Sequence, residues 1–362
     1  MFNGKIDFKP SFLNDRSRPL MGVDIGSSAI KLVELSKSGN TYQLEHYAIE
    51  PLPREAIVDG AINDLDAVSA SLARVWNRLG THTRNVCMAL PASAVITRRI
   101  LLPAGLDEEV MELQIEAEAS QYIPFAMDEV NLDFQVLGPA PGNADEIVVF
   151  LAASRKANVE DRVAAAQSAG LKATIIDVES FAEQVAFNLI SASPGSEGSL
   201  TALVDMGAHA TNVSVFKDGE SVYSRDQQIG GELLSRQIQT LFELSPEEAE
   251  IAKRKGGLPE NYITEVLEPF RENVAMEVMR ALQFFYSSSP YNDIGQLILA
   301  GGSASVEGLA AAIGKQTGIA TELANPFARM SLSKRINQRQ LQVDAPSLLV
   351  ACGLALRRFD PS

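Results

Sequence analysis

The sequence predicts an α/β fold in which one structural unit is used twice, so that two similar halves face each other across a cleft. Residues 20–42 read LMGVDIGSSAIKLVELSKSGNTY, and residues 200–223 read LTALVDMGAHATNVSVFKDGESVY. In both stretches an apolar strand ends in Asp-x-Gly, a short polar turn follows, and a second strand leads through a Lys-x-Gly hairpin into a third. Residues 296–309, QLILAGGSASVEGL, add a predicted strand, a Gly-Gly-Ser turn and a helix.

Composition narrows the class of protein. The chain has 362 residues, of which 46% are hydrophobic and 21% charged, as in a globular protein of two or more domains. Its net charge of −15 argues against general binding to nucleic acid or anionic lipid. Two cysteines outside any CxxC pair and three histidines support neither a disulfide framework nor a zinc site, so a reducing cytoplasm is expected. No apolar run reaches the roughly 18 residues of a membrane helix, and no signal peptide is expected.

Two aspartates at the ends of the repeated strands are the predicted metal site. Asp24 and Asp205 each end the first strand of a copy, where a carboxylate is costly to bury unless it is paired or bound to a cation. Facing each other across the cleft, they can hold Mg²⁺ through its retained waters.

Backbone amides near these aspartates form a predicted phosphate cradle. The turn Gly26-Ser27-Ser28 exposes successive N–H groups to an anion, and Lys31 adds a positive charge. The turn Gly301-Gly302-Ser303 supports the same interpretation, because glycine lets a ligand approach the backbone and a helix N terminus favours an anion. The pattern indicates a clamp for a nucleoside triphosphate that has no P-loop.

The three motifs, in this order and spacing, resemble those of the actin-like ATPase superfamily. DIGSSAIK (24–31) resembles its first phosphate loop, DMGAHATN (205–212) its second, and LAGGSA (299–304) its adenosine motif. The resemblance implies an actin-like, ribonuclease-H-like fold of two duplicated lobes, with ATP and Mg²⁺ between them. It also implies that residues 177–187 and 345–357 are the connecting helices at the hinge, packed closely at Gly353.

The resemblance also assigns further nucleotide contacts. These are Gly207, Ala208 and Thr211 in the second loop, Gly230 and Gly231 in a Gly-Gly turn, and Glu250 and Lys253 in an AE..K pattern whose side chains reach the ribose and base. For Glu250 and Lys253 the alternative is simple stabilisation of a helix that begins after Ser245.

Hydrolysis is expected to be slow or absent. Ala208 and His209 stand where stronger ATPases of the superfamily carry further Gly or Asp, and His209 is expected to be only a turn residue. Glu179 occupies the region where actin-like proteins keep a water-polarising Glu or Gln, which makes it the candidate catalytic residue. The alternative for Glu179 is an acid that interacts with the dipole at a helix start.

Residues 93–138 resemble the inserted subdomain of the PilM family of type IV pilus assembly proteins, which is related to the cell-division protein FtsA. Independently of that resemblance, their pattern predicts a strand, a helix from Asp107 to Ser120 and further strands after Pro124. The family resemblance implies a cytoplasmic adaptor, held at the inner membrane by its partners, that binds the N-terminal cytoplasmic segment of PilN and serves twitching motility. Pilus motor ATPases are left open as partners, and so is a homo-oligomer.

The predicted border of the partner groove is formed by Tyr122, Ile123 and Phe125, with core packing as the alternative. Five parts of the chain are expected. They are an N-terminal arm (1–19), a first large lobe (20–85 with 172–199 and 345–362), an inserted subdomain (86–171), a second large lobe (200–245 with 285–344) and a small helical subdomain (246–284).

Other interpretations stay open. The N-terminal arm carries Phe2, Ile6, Phe8 and Phe12 and is expected to be a disordered leader, with a docking arm as the alternative. A filament-forming division protein like FtsA is a second functional class, although the chain ends without the amphipathic tail of that protein. An active ATPase or sugar kinase of the superfamily is a third.

Overall fold

Two mixed β-sheets frame the protein in the computed structural model, which describes residues 19–191 and 198–360 apart from the side chains of residues 254 and 255. The strands are β1 (Met21–Ile25), β2 (Ala29–Ser38), β3 (Thr41–Pro51), β4 (Ile57–Val58), β5 (Ala61–Ile62), β6 (Asn85–Leu90), β7 (Val95–Pro103), β8 (Val130–Ala140), β9 (Asn143–Arg155), β10 (Lys172–Val178), β11 (Leu200–Met206), β12 (Thr211–Lys217), β13 (Glu220–Gln227), β14 (Gln296–Ala300), β15 (Thr321–Leu323) and β16 (Ser331–Leu332). The α-helices are α1 (Leu65–Leu79), α2 (Glu108–Ala119), α3 (Lys156–Ser168), α4 (Glu179–Ser191), α5 (Gly231–Phe242), α6 (Pro246–Lys255), α7 (Glu268–Ser288), α8 (Leu309–Thr317), α9 (Gln338–Asp344) and α10 (Leu349–Leu356). The predicted N-terminal arm, apart from Pro19, lies outside the described residues.

The strand pairing confirms the duplicated fold. In the first sheet, ordered β10-β6-β1-β2-β3-β16, strand β1 is antiparallel to β2 and parallel to β6. In the second, ordered β13-β12-β11-β14-β15, strand β11 is antiparallel to β12 and parallel to β14. Each repeated stretch therefore supplies the same antiparallel pair, with its Asp-x-Gly turn at one end.

The predicted connecting helices α4 and α10 lie between the two sheets. One buried cluster joins Val33 of the first sheet and Leu203 of the second to residues of both helices. The helices touch backbone to backbone, because a Cβ added at Gly353 would lie 1.8 Å from the carbonyl oxygen of Ala182. Only glycine fits there, as the sequence predicted for a close helix contact.

The insertion is a separate three-stranded sheet ordered β7-β9-β8. Helix α2 covers one face through Ile115, which packs with Ile100 and Val149. The helix begins after Asp107, whose side chain accepts a hydrogen bond from the Val110 amide at 2.9 Å. The predicted range 86–171 is wider than this sheet, because β6 pairs with β1 and β10 in the first sheet and α3 packs against α1.

The helices of the predicted small subdomain share their core with the second sheet. Ala249 of α6 and Phe270 of α7 lie in the same buried cluster as Leu297 of β14. Strand β16 falls within the range predicted for the second lobe, yet it pairs with β3 of the first sheet. Within residues 19–191 and 198–360, no helix is long and apolar enough to cross a membrane.

Candidate functional site

The first repeated hairpin carries a paired carboxylate. Asp24 lies near the end of β1, directly opposite Lys31 of β2, and is 4% exposed. The Nζ atom of Lys31 lies 2.7 Å from Oδ2 of Asp24. Burial lowers the pKa of Lys31, but attraction from Asp24 outweighs it and the pKa is raised. Lys31 therefore stays charged beside Asp24 and forms an ion pair with it.

The second hairpin has the same backbone but a different partner in register. Asn212 stands opposite Asp205, where the first hairpin has Lys31. Burial raises the pKa of Asp205 to about 6, with Lys31 acting to lower it and Asp24 to raise it. Gly301 has a φ of +94°, and a Cβ there would lie 2.3 Å from Oδ1 of Asp205. The Gly-Gly-Ser turn thus packs directly on this carboxylate.

Helix α4 brings two more carboxylates to the cleft. Burial first, and repulsion from Asp24 second, raise the pKa of Glu179 to about 8. One turn later, Glu183 is 7% exposed, and its Oε1 atom has no hydrogen-bond partner among the described residues. Burial, together with Asp205 and Glu179, raises the pKa of Glu183 well above its usual value. Sequence analysis missed Glu183, although its spacing of four residues from Glu179 places both on one helix face.

A buried arginine was also missed. Arg162 of α3 is 2% exposed and donates to the carbonyl oxygens of Gly60 (2.8 Å) and Ala89 (3.3 Å). It makes no ion pair in the described part of the chain, although burial lowers its pKa and Glu179 and Asp24 act to raise it. Arg162 and Lys31 are the cations that act on Glu179. With Asp24, Glu179, Glu183 and Asp205 all ionised, the cluster carries excess negative charge.

The predicted phosphate-cradling amides divide into two groups. Those of Gly26, Gly207, Gly231, Gly301 and Ser303 donate to the carbonyls of Ala29, Ala210, Gly207, Pro346 and Met206, at 2.8 to 3.1 Å. These amides hold the turns together and are not available to an anion. Within the described residues, no hydrogen bond is donated by the amides of Ser27, Ser28, Ala208, Gly230 and Gly302, which leaves them for a ligand to use.

The structure does not bring Thr211 to the cleft. Its side chain is fully buried, and its hydroxyl donates to the carbonyl oxygen of Ile229 at 2.7 Å. A ligand in the cleft cannot reach that hydroxyl. Thr211 instead ties β12 to the segment that precedes the Gly230-Gly231 turn.

Glu250 and Lys253 form a network with a residue that sequence analysis did not select. Lys253 Nζ lies 2.7 Å from both Glu250 Oε1 and Ser235 Oγ, and Ser235 also donates to Glu250. Ser235 is one turn into α5, so the network links α5 to α6 beside the Gly-Gly turn. His209 contacts Glu232 of α5 at 2.5 Å and is exposed, which fits its predicted place in a turn.

The residues predicted for the partner groove separate by burial. Tyr122 and Phe125 are exposed and lie beneath the guanidinium groups of Arg98 and Arg155. Ile123 is buried in the core of the insertion, so it cannot contact a partner unless the subdomain opens.

The insertion sheet also has a second face, opposite the one that α2 covers. Ile100 and Val149 point toward α2, so Leu101 of β7 and Phe150 of β9 lie on the opposite face. Leu101 is exposed, and the ring of Phe150 packs against Phe181 of α4, with centroids 5.6 Å apart.

The described residues show neither a ready metal cluster nor a cavity of the kind found elsewhere in the molecule at this site. Among the described residues, no group of three or more His, Cys, Asp or Glu side chains is placed to hold a metal ion. A cavity of about 440 Å³ lies instead at the C-terminal ends of α5 and α6, lined by Phe242, Ile251 and Leu258 among others. Protein ligands for Mg²⁺ would therefore be few and supplemented by water, as this ion prefers.

Comparison with known proteins identifies the family. A family model described as type IV pilus assembly protein PilM matches residues 22–359. The chain belongs to the PilM family. A solved PilM-PilN type IV pilus biogenesis complex contains a chain that is 30% identical, with a TM-score of 0.78, over 94% of this protein and 99% of that chain. Membership of the PilM family carries a role in type IV pilus assembly.

More distant relatives extend the comparison. The ethanolamine utilization protein EutJ from Carboxydothermus hydrogenoformans is 17% identical, with a TM-score of 0.57, over 95% of this chain and 90% of its own, and shows the shared fold. Cell division protein FtsA of Bacillus subtilis (strain 168) is 21% identical over 259 residues, which are 66% of this chain and 58% of FtsA. This PilM-family chain therefore matches less than two thirds of FtsA. The relationship predicted from residues 93–138 and from the three motifs is confirmed at the level of the family and the fold.

Proposed function

We propose that this protein is a nucleotide-binding adaptor of the type IV pilus inner-membrane platform. It binds Mg-ATP between its lobes and the N-terminal cytoplasmic segment of PilN on its first lobe and insertion, and it works at the cytoplasmic side of the inner membrane through these partners. The observation that carries the nucleotide site is the meeting of two Asp-x-Gly hairpins whose outer amides are free. Ser27, Ser28 and Ala208 lie beside Asp24 and Asp205 in these hairpins.

The donor set fits a hard divalent cation. Asp205 and Glu183 offer carboxylate oxygens that make no ion pair among the described residues, although Lys31 acts on Asp205 from its pair with Asp24. Mg²⁺ prefers oxygen ligands completed by water. A nucleoside triphosphate is itself highly anionic and would be repelled by this cluster alone. The bound cation would supply the charge that lets the phosphates approach.

Slow turnover is supported by the state of Glu179. A pKa of about 8 leaves this carboxyl mainly protonated at neutral pH, and a protonated carboxyl cannot act as a general base toward water. Ala208 and His209 supply no other acid to orient a water. Nucleotide binding without rapid hydrolysis suits an adaptor whose lobe closure follows occupancy.

The nucleotide proposal is tested by titrating Mg-ATP while phosphate release is followed in the same tube. Asp24→Ala should raise the Kd at least tenfold, which corresponds to about 1.4 kcal/mol. Asp66→Ala is the matched control, because Asp66 is an exposed acid in the first turn of α1. Tight binding with little phosphate release supports the adaptor. Rapid release favours the ATPase alternative, and no binding by the wild type contradicts the nucleotide site.

The partner proposal rests on the face of the insertion sheet that lies opposite α2. Leu101 lies on that face, whereas Leu113 lies on α2, which covers the opposite face, and both leucines are more than half exposed. Leu101→Glu should weaken binding of a PilN N-terminal peptide at least tenfold in calorimetry, while Leu113→Glu leaves it unchanged. Equal effects of the two variants would place the peptide elsewhere.

A further inference from the structure

Glu183 is a buried acid without a counter-charge. It is 7% exposed, makes no ion pair in the described part of the chain, and has an Oε1 atom with no hydrogen-bond partner there. A buried carboxylate is normally stabilised by hydrogen-bond donors, a cation or a proton. Among the described residues no donor reaches Oε1, so either a bound cation or a proton is left to stabilise this carboxyl group.

The charges around Glu183 are negative. Its nearest ionisable neighbours are Asp205, Glu179 and Asp226. Asp226 accepts a hydrogen bond from Asn212 at 2.8 Å, but Asp205 has no cation opposite it in register. Lys31 pairs with Asp24 and acts on Asp205 only from that pair, so the least compensated charge of the cluster lies on the side of Glu183 and Asp205.

The cations of the cluster are engaged elsewhere. Lys31 lies 2.7 Å from Asp24, which it neutralises. Arg162 donates to the backbone carbonyl oxygens of Ala89 and Gly60. Asp24 is thus a less suitable metal ligand than its sequence position indicates, because binding a cation would place two positive charges beside one carboxylate.

We propose that Glu183 is a binding residue for the divalent cation of the cleft and acts together with Asp205. Glu183 lies on α4 between the lobes and Asp205 on the second sheet, so a hydrated cation would join the two lobes directly. Asp24 would instead hold Lys31 in place to meet the phosphates. This inference rests on the proposed Mg-ATP site and reassigns its metal ligands from the pair Asp24 and Asp205 to the pair Glu183 and Asp205.

The test measures how strongly metal and nucleotide favour each other's binding. The Kd for ATP is determined by calorimetry with Mg²⁺ and with EDTA, for wild type and for Glu183→Gln, which removes the charge at constant shape. The metal enhancement of affinity should fall at least tenfold in the variant. Affinity for metal-free ATP should stay equal or improve, because one negative charge near the phosphates is gone.

A second readout needs no nucleotide. Binding of Mn²⁺ alone is followed by electron paramagnetic resonance and should be weakened at least tenfold by Glu183→Gln. The matched control is Glu34→Gln, because Glu34 is also buried (8% exposed) and has an unpartnered Oε2 atom, but it lies on β2 opposite Met21, away from the cleft. This control should leave both measurements unchanged.

The outcomes separate the inference from the proposed function. If wild type and Glu183→Gln show the same metal enhancement and the same Mn²⁺ affinity, Glu183 is a protonated structural acid and the inference is overturned while the nucleotide site stands. Loss of Mn²⁺ binding in the variant supports the inference even where ATP fails to bind. Failure of the wild type to bind either ATP or Mn²⁺ overturns both.

Discussion

The two repeated hairpins share a backbone and differ in what balances their carboxylates. In the first, Lys31 stands opposite Asp24 at 2.7 Å, whereas in the second an uncharged asparagine stands opposite Asp205. Duplication has therefore kept the strand geometry and divided the chemistry. One copy carries an ion pair, and the other carries a carboxylate that makes no ion pair in the described part of the chain.

The two hairpins also differ at the position two residues before each aspartate. Gly22 in β1 corresponds to Leu203 in β11, and both are buried. A Cβ at Gly22 would lie 2.1 Å from the carbonyl oxygen of Ala351, because α10 packs directly on the backbone of β1. The side chain of Leu203 instead packs in the buried cluster that includes residues of α4 and α10.

The largest expected effect comes from adding a Cβ at Gly22, where β1 and α10 pack backbone to backbone. Gly22→Ala should lower the free energy of unfolding by more than about 4 kcal/mol, since backbone atoms on both sides must move. Gly39→Ala is the control, because Gly39 has a φ of +59° and no atom within 4 Å of an added Cβ, so only about 1 kcal/mol of backbone strain is expected. Urea denaturation measures both. Equal losses would mean that α10 moves aside without cost.

The two aspartates should respond in opposite directions to the same substitution. Asp24→Asn leaves Lys31 buried without its partner and should cost about 3 kcal/mol of unfolding free energy. Asp205→Asn removes a partly buried carboxylate that makes no ion pair in the described part of the chain, and should be neutral or stabilising at pH 8. Thermal unfolding without metal or nucleotide distinguishes the two. Equal destabilisation would contradict the division of charge between the hairpins.

The unpaired carboxylates should also set the pH dependence of stability. Asp205 and Glu179 bind protons more tightly in the folded protein than in the unfolded chain, where their pKa values are near 3.8 and 4.5. The stabilisation of the folded protein that this tighter proton binding provides is fully present below the unfolded-chain pKa values. It is lost as the pH rises through about 6 for Asp205 and about 8 for Glu179.

Replacing one of these groups should flatten the pH profile. Glu179→Gln removes the titrating group and should reduce the fall in unfolding free energy between pH 5 and 9 by on the order of 2 kcal/mol. The expected effect is no larger because part of the Glu179 side chain is open to solvent, which screens its charge. Urea denaturation at several pH values, without added metal, measures it. Asp66→Asn should leave the dependence of unfolding free energy on pH as in the wild type. If Glu179→Gln also leaves it unchanged, another group titrates in this pH range.

The smallest effect concerns the turn of the second hairpin. His209→Ala removes an exposed contact with Glu232 and should change the free energy of unfolding by less than about 1 kcal/mol. ATP affinity should remain within twofold of wild type. A tenfold loss of affinity would assign His209 a part in nucleotide binding that its position in the turn does not indicate.

Local patterns made much of the fold predictable. The Asp-x-Gly turns, the Asp107 cap of α2 and the close packing at Gly353 each depend on a few neighbouring residues, and the structure has all three. The ends of the insertion were harder to predict, because β6 and α3 join the first sheet through contacts that are distant in sequence.

The site was only partly predictable for a related reason. Arg162 and Glu183 occur in helix sequences, NVEDRVAA and SFAEQVAF, where a charged residue normally faces solvent. Their burial is decided by how α3 and α4 pack on the sheets. Thr211 shows the converse, because a matching motif position lies on a strand face that points away from the cleft.

At the contact between Gly353 and Ala182 the backbones of α4 and α10 meet without a side chain between them, so we expect the lobes to rotate about this line more easily than they slide across it. In such a rotation, displacement grows with distance from the axis. Glu183 directly follows Ala182 and should move little, whereas Tyr122 is exposed on the insertion and should move further. A small change beside the hinge axis would then become a larger movement at the surface of the insertion.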